Sequence, residues 1–516
     1  MSAQLIINAS ESETRVSLLE HGSAAEIYIE RQADRGVVGN IYRGKVSRVL
    51  PGMQAAFVDI GLERSGFLYV NDAIPQEAAQ NENGFDRSNT DMHQQQELLD
   101  APYENRRQEP RQNIAEVLKN GQDIVVQVAK EPFGTKGARL TTHLSIPGRY
   151  LVYMPTFKHT GISRRIEDEG ERQRLSDIVE KYSGPKDGFI VRTVAEGIDD
   201  NTLKREAAIL KKVWLDIEKK SKKGPTPKTL MEDLDLVLRS IRDLLSEDVR
   251  EIITDNADDV DRIKEFLKSF KDSNEIKVLP YTSPEPIFDH YGIEVEIERA
   301  LERRVWLKSG GYIVIDQAEA LTVIDVNSGR FVGKSSLEDT VTQINLEAVR
   351  EIAYQLRLRN IGGIIIIDFI DMAVLENQEK VLGSLQEALS RDKAKTTIVR
   401  LSDLGLVEMT RKRVRESLGA TLTEQCGYCK GRGSIKSALT VAHEILRAAQ
   451  RSLSRKWGAT VLINMEAGIA DYLYEEQADA IEEIETKNKC KVIPVARQGY
   501  HREHFEVVIS QNKEES

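Results

Sequence analysis

Two periodicities alternate along this chain. Residues 4–8 and 14–20 alternate apolar and polar positions with the period of two that a half-buried strand needs. Short β-branched runs follow between Gly39 and Val70, at 123–129 and at 188–197, each bounded by Gly or Pro. A period near 3.6 takes over at 200–221, which predicts an amphipathic helix running into the basic linker KKSKKGPTPK. From 228 to 304 helical and strand-like segments alternate, as in an α/β layer, before the strand YIVID at 312–316.

The chain is organised around residues 321–371. LTVIDVNSG and GGIIIIDFID read as short buried strands. Between them Leu337, Val341, Ile344, Ala348, Ile352 and Leu356 recur at helical spacing, so a helix is expected from Leu337 to Arg359. Ser335 and Glu338 have the spacing of a capping box, and Asn360 with Gly362 should stop the helix. Strand, helix, strand is a βαβ unit, whose strands run parallel through a right-handed crossover. Beyond it a helix at 376–391, a strand at 396–401 and a helix at 408–417 are expected to complete the layer.

This topology carries candidate chemistry. Asp325 and Asp368 each close one of the two strands. Neighbouring strands lie about 4.8 Å apart, close enough for two carboxylates to share one hard cation. Asn327, two residues past Asp325, points to the same face. A charge at the end of an apolar strand is costly without a metal, a cation or a proton donor. Gly333-Lys334-Ser335 resembles the end of a phosphate-binding loop, but Gly329 to Gly333 leaves three intervening residues where the motif needs four. Nucleotide binding there is disfavoured.

Composition changes the picture little. The 516 residues suffice for three or more compact units, with 40% hydrophobic and 30% charged residues, as in ordinary soluble proteins. The N-terminus shows no secretory pattern, and no apolar run approaches a transmembrane length. Three cysteines in so long a chain suit a reducing compartment, so a cytoplasmic protein is expected. The net charge of −11 does not exclude nucleic acid, because Arg411, Lys412, Arg413 and Arg415 cluster and further cations lie along 130–165.

Further stretches are suggestive. Gly39 to Val70 suits a small Greek-key OB barrel, with Phe57 and Phe67 as stacking platforms for single-stranded nucleic acid and Tyr42 as a weaker candidate. Residues 76–113 are polar enough to read as a flexible insertion. Arg192 and Thr193 end a β-rich run, and a guanidinium beside a hydroxyl suits a terminal phosphate. Cys426-Gly-Tyr-Cys429-Lys-Gly-Arg-Gly has the form of a zinc knuckle, yet structural zinc wants four ligands. Either two chains share one Zn²⁺, which the trailing glycines favour, or the pair is a redox dithiol. Cys490 reads as a core thiol. Residues 438–516 then form a small α/β domain, with a helix at 438–452 and strands ATVLINM and FEVVIS.

Taken in order, GNIYRGKVSRVLPGMQAAFVDIG, VRTVAEG, IDVNSG, IIIIDFIDM and CGYCKGRG resemble the ribonuclease E/G family over nearly the whole chain. The resemblance implies an α/β and β multidomain fold, with an OB-fold RNA-binding barrel inserted in an RNase H-like and DNase I-like catalytic core. Its expected parts are an RNase H-like subdomain (1–38 and 228–304), the barrel (39–128), a 5′-phosphate sensor region (129–227), a DNase I-like catalytic subdomain (305–422), a zinc link (423–437) and a small C-terminal domain (438–516). It implies a Mg²⁺-dependent endoribonuclease that cuts single-stranded, A/U-rich RNA, favours 5′-monophosphate ends, and matures ribosomal RNA and turns over messenger RNA. Asp325 and Asp368 would hold Mg²⁺, with Asn327 beside them. Gly148, Val152, Arg192 and Thr193 would receive the 5′-phosphate, and Phe57, Phe67 and Lys136 would grip the strand. Cys426 and Cys429 would join a homodimer through Zn²⁺, with a homotetramer as the full assembly. A non-catalytic single-stranded RNA-binding factor is the alternative.

Overall fold

The alternation at the N-terminus becomes three antiparallel strands, Ala3–Ala9, Glu13–Glu20 and Ser23–Arg31. Two strands from far along the chain, Val249–Thr254 and Lys277–Pro280, extend that sheet in parallel from Ala3–Ala9. The computed structural model describes residues 3–73, 113–132, 137–158, 160–163, 165–185, 187–245, 248–268, 276–329, 337–390, 392–402, 405–453 and 459–510. They fall into two units, Met1–Thr421 and Leu422–Ser516.

The barrel is present and closed. Ile41–Leu50, Ala55–Asp59, Gly66–Tyr69, Arg139–Thr141 and Asp123–Lys130 pair in that order, and Asp123–Lys130 returns to Ile41–Leu50. Its fifth strand, Arg139–Thr141, lies past the expected boundary at 128. Closure removes the free edges that an open sheet would expose. Tyr42 is 4% exposed and fills the barrel core, so it is not a surface platform. The expected insertion lies outside the described residues except Asn113, whose side chain caps the Ile114–Val117 turn.

A four-stranded sheet follows: Thr160–Ile162, Gly188–Val191, Leu151–Met154 and Ile146–Pro147. Helices Glu169–Tyr182 and Asp200–Ser221 pack on it. Asp168 and Asp199 open these helices by accepting from the backbone N–H three residues on, satisfying a donor the helix leaves free. Asp235 does the same for Leu236–Leu244.

The central sheet runs Arg304–Trp306, Tyr312–Gln317, Leu321–Asn327, Gly363–Asp368, Leu406–Arg411 and Thr396–Leu401. Leu321–Asn327 and Gly363–Asp368 are parallel neighbours joined by the helix Leu337–Leu358, as a βαβ unit requires. Three expectations need correction. The two strands are buried on one face only: Ile324, Ile365 and Ile367 are 0% exposed, whereas Ile364 is 49% exposed. Helices Leu337–Leu358 and Leu375–Ser390 cover one side, whereas Val323, Asp325, Ile364 and Asp368 are exposed on the other. Residues 406–411 form a strand rather than the start of a helix, because pairing with Gly363–Asp368 and Thr396–Leu401 outweighs the helix propensity of Glu, Met, Arg and Lys. Leu337 is 81% exposed, so the apolar stripe of its helix begins later.

The expected capping box falls partly outside the described residues. Ser335 is among the residues not described, and the Glu338 carboxylate accepts from the N–H groups of Ala373 and Val374 and the Asn377 amide. Asn360 does take the left-handed conformation that ends the helix, with φ at 49°. The cation cluster at 411–415 is largely internal. Arg411 is buried against Asp392, and the Arg415 guanidinium stacks on Tyr28 at 3.7 Å.

In the second unit, Lys491–Ala496, Thr460–Met465 and Phe505–Ser510 form a three-stranded mixed sheet. Helices Ala438–Leu453, Ala467–Glu476 and Ala478–Asn488 pack against it. No helix among the described residues is long and apolar enough to cross a membrane.

Candidate active site

Asp325 and Asp368 are direct partners in the register of the two parallel strands. Both are exposed, on the face that the helices leave open. The adjacent strand spacing of about 4.8 Å sets the separation of their backbones. Asn327 lies on that face too, and its amide donates to Asp325 Oδ2 at 2.8 Å. The Asp368 carboxyl is pushed above its usual range, first by partial burial, then by the nearby charges of Asp325 and Asp371. Like charges so crowded are the setting in which a divalent cation binds well.

The loop after Asp368 is held from the helix above. Buried Asn345 donates to Ile370 O at 2.8 Å and accepts from Ile370 N at 3.1 Å. Glu338 caps the residues that follow. On the other side, Gly329 has φ at 60°, and a Cβ there would lie 2.4 Å from Gly310 O. Only glycine lets the two turns touch backbone to backbone. The Gly333-Lys334-Ser335 run lies outside the described residues.

The donor set is two carboxylates with an amide on an open face, and no cluster of three His, Cys, Asp or Glu occurs among the described residues. Such a pair suits a hard ion that keeps most of its waters, which is the habit of Mg²⁺. Sequence reasoning missed Asp371 and Asn345. The short spacing of Asp368 and Asp371 could have flagged the first; the second rests on tertiary contact alone.

Arg192 and Thr193 follow the strand Gly188–Val191. The Arg192 guanidinium donates to Gly148 O at 2.7 Å and to Asp243 Oδ1 at 2.8 Å. Thr193 Oγ1 shares a 2.8 Å hydrogen bond with Ser163 Oγ. Gly148 is therefore beside Arg192, and a Cβ there would collide with the Glu206 carboxylate at 2.8 Å. Glu206 accepts the N–H groups of Arg149, Tyr150 and Leu151, so those donors are already occupied. Val152 is fully buried with Met154, Phe157 and Ile190 and is not exposed for contact.

Phe57 and Phe67 are cross-strand partners on the barrel, half-buried, with ring centroids 5.5 Å apart and edges to faces. Tyr69, not anticipated, continues the row 4.4 Å from Phe67, with Arg139 over its ring at 5.3 Å. Lys136 lies outside the described residues.

In the second unit, Cys426 is exposed and Cys429 half-buried. The backbone N–H groups of Cys429 and Tyr428, then the Cys429 side chain, hold the Cys426 thiol below its ordinary value. Lys430, Gly431 and Gly433 all have positive φ. Two thiols fit half of a tetrahedral zinc site. Cys490 is half-buried and packs against the core of this unit.

Residues 145–414 match the ribonuclease E/G family, and 425–512 match its thioredoxin-like domain. Ribonuclease G of Escherichia coli K12 is 43% identical over 99% of this chain and 100% of its own length. The chain belongs to the ribonuclease E/G family. Ribonuclease G of Haemophilus influenzae is 42% identical over 98% of the chain and 99% of its own length. Ribonuclease E of Escherichia coli K12 is 36% identical over 95% of the chain but only 45% of its own length. Membership in the ribonuclease E/G family makes the open carboxylate pair the first place to look for RNA cleavage.

Proposed function

We propose that this chain is a metal-dependent endoribonuclease that cuts single-stranded, A/U-rich RNA, leaves a 5′-phosphate and a 3′-hydroxyl, and favours 5′-monophosphate ends. The observation that carries this reading is the in-register pair Asp325 and Asp368 on an open sheet face, in a chain 43% identical to a ribonuclease G. The two aspartates would hold Mg²⁺. When bound, the ion supplies positive charge at the scissile phosphate and lowers the pKa of a water. Asn327 orients Asp325 through its 2.8 Å hydrogen bond and offers its amide on the same face. Asn345 and Glu338 hold the Asp368–Val374 loop so that the carboxylates need no reordering when RNA arrives.

The half-exposed row of Phe57, Phe67 and Tyr69 suits unstacked bases. Arg192 and Thr193 supply donors for a terminal phosphate, with Gly148 alongside and Val152 beneath. Cys426 and Cys429 would share Zn²⁺ with the same pair of a second chain, giving a homodimer and, by pairing of dimers, a homotetramer. The cellular setting in this reading is cytoplasmic, in maturation of ribosomal RNA and turnover of messenger RNA.

The test is incubation of a 5′-monophosphorylated, A/U-rich oligoribonucleotide with the protein in Mg²⁺ and in EDTA. Internal cleavage in Mg²⁺ that EDTA abolishes is expected. Binding without cleavage in Mg²⁺ would make the chain an RNA-binding factor instead.

A further inference from the structure

The open face of the central sheet differs on the two sides of the aspartate pair. Trp306 pairs with Tyr312 and Tyr312 with Asn327, so these three side chains form one row across the sheet. Arg304, Val314, Asp325 and Asp368 form the next row on the same face. The Trp306 and Tyr312 rings meet edge to face with centroids 5.2 Å apart. The Arg304 guanidinium lies 4.5 Å from the Tyr312 centroid and 5.7 Å from that of Trp306. Trp306 is 61% exposed, the largest apolar side chain on this face and one that adds little to the core beneath. Among the described residues Arg304 has no carboxylate partner.

We propose that Trp306, with Tyr312 and Arg304, is a stacking subsite for one or two unpaired bases of the RNA strand just beside the scissile phosphate. The proposal rests on the endoribonuclease reading and deepens it. Tyr312 is one strand across and two residues along from Asp325, about 8 Å in backbone spacing. A strand entering from this side must cross the rings before reaching the carboxylates. Exposed aromatic faces beside a guanidinium hold a base by stacking and its phosphate by charge. Across from Asp368 the next strand presents Leu406, and opposite Ile366 it presents Glu408, none of them an aromatic side chain. The subsite therefore requires that a base be present but tolerates any base.

Two measurements test this. The first needs no cleavage: in EDTA, an oligouridylate should quench part of the emission of the chain's 3 tryptophans. W306F should lose that quench. The second uses substrates with one abasic position on either side of a single cut. W306A should lower kcat/KM about ten-fold on the intact substrate, the scale of one lost stack. An abasic position on one side should cost the wild-type protein as much and cost W306A nothing further. An unchanged quench in W306F, or losses that multiply in W306A, overturns the subsite. So does a smaller oligomer for W306A in sedimentation, which would make the rings an interface between copies. Quenching that depends on Trp306 without any cleavage in Mg²⁺ would instead remove the endoribonuclease reading and leave the subsite standing.

Discussion

Arg192 and Asp243 are joined at 2.8 Å, although a sheet strand ends at one and a helix at the other. The bond ties the guanidinium assigned to the 5′-phosphate to a carboxylate of the phosphate's own sign. Burial alone would push Asp243 up, but Arg242 and Arg192 overcome it and hold the carboxyl below its usual range. A phosphate at Arg192 must share or displace this partner. Asp243→Asn should therefore raise the rate ratio of 5′-monophosphate over 5′-hydroxyl RNA by a few-fold, and Arg192→Ala should bring it to about one. Kinetics on the paired substrates check both. The stability Asp243 contributes is present above the usual carboxylate pKa and is lost as pH falls through its lowered value.

Asp325→Asn and Asp368→Asn each remove one charge from the pair while keeping shape. Cleavage should fall about a thousand-fold, equivalent to roughly 4 kcal/mol of barrier. RNA binding in EDTA should stay within a factor of about three, since the grip on phosphates and bases lies elsewhere. Release of a fluorescent fragment reads the first and anisotropy the second. Near wild-type cleavage by either variant would remove the assignment.

The aspartate pair was legible in the sequence because it needs only local patterns and one topological rule. Two apolar runs around an amphipathic helix make the strands parallel, and their terminal carboxylates then share an edge. Contacts between distant segments gave no such signal. Asp243 is 51 residues from Arg192, and Asn345 grips a loop 25 residues away. The row of Trp306, Tyr312 and Asn327 appears only once the hairpin register is known. Residues 406–411 went astray for the opposite reason: Val407, Met409 and Arg411 alternate inward, but their neighbours are helix formers until sheet partners are supplied.

Cys426 is exposed and its thiol is held below the ordinary value by backbone N–H groups. A thiolate, not a thiol, binds zinc, so a lowered value lets the pair keep metal to lower pH than free cysteines would. Cys426→Ser should release Zn²⁺ and shift the protein from dimer toward monomer. Cys490→Ser, altering a half-buried thiol away from the turn, should do neither. Metal analysis with sedimentation at several pH values distinguishes the shared site from a dithiol. A dimer that persists without zinc would exclude the metal as the join.

Arg411 and Asp392 form a pair with both side chains about 5% exposed or less, Nε to Oδ2 at 2.6 Å. Arg411 also donates to Ile361 O at 2.8 Å, and Asp392 O accepts from Arg165 at 2.8 Å. The pair thus links the start of one central strand, the end of another and the segment that carries Arg165. Removing one partner leaves a buried charge without its counterion, which costs about 3–5 kcal/mol. Asp392→Ala should lower the Tm of the protein by several degrees. The double variant Asp392→Leu with Arg411→Met removes both charges and fills the space, so it should be less destabilised than the single one. Scanning calorimetry of the three proteins decides this. If the double variant is the less stable, the pair's worth lies in its bonds to Ile361 and Arg165 rather than in mutual neutralisation.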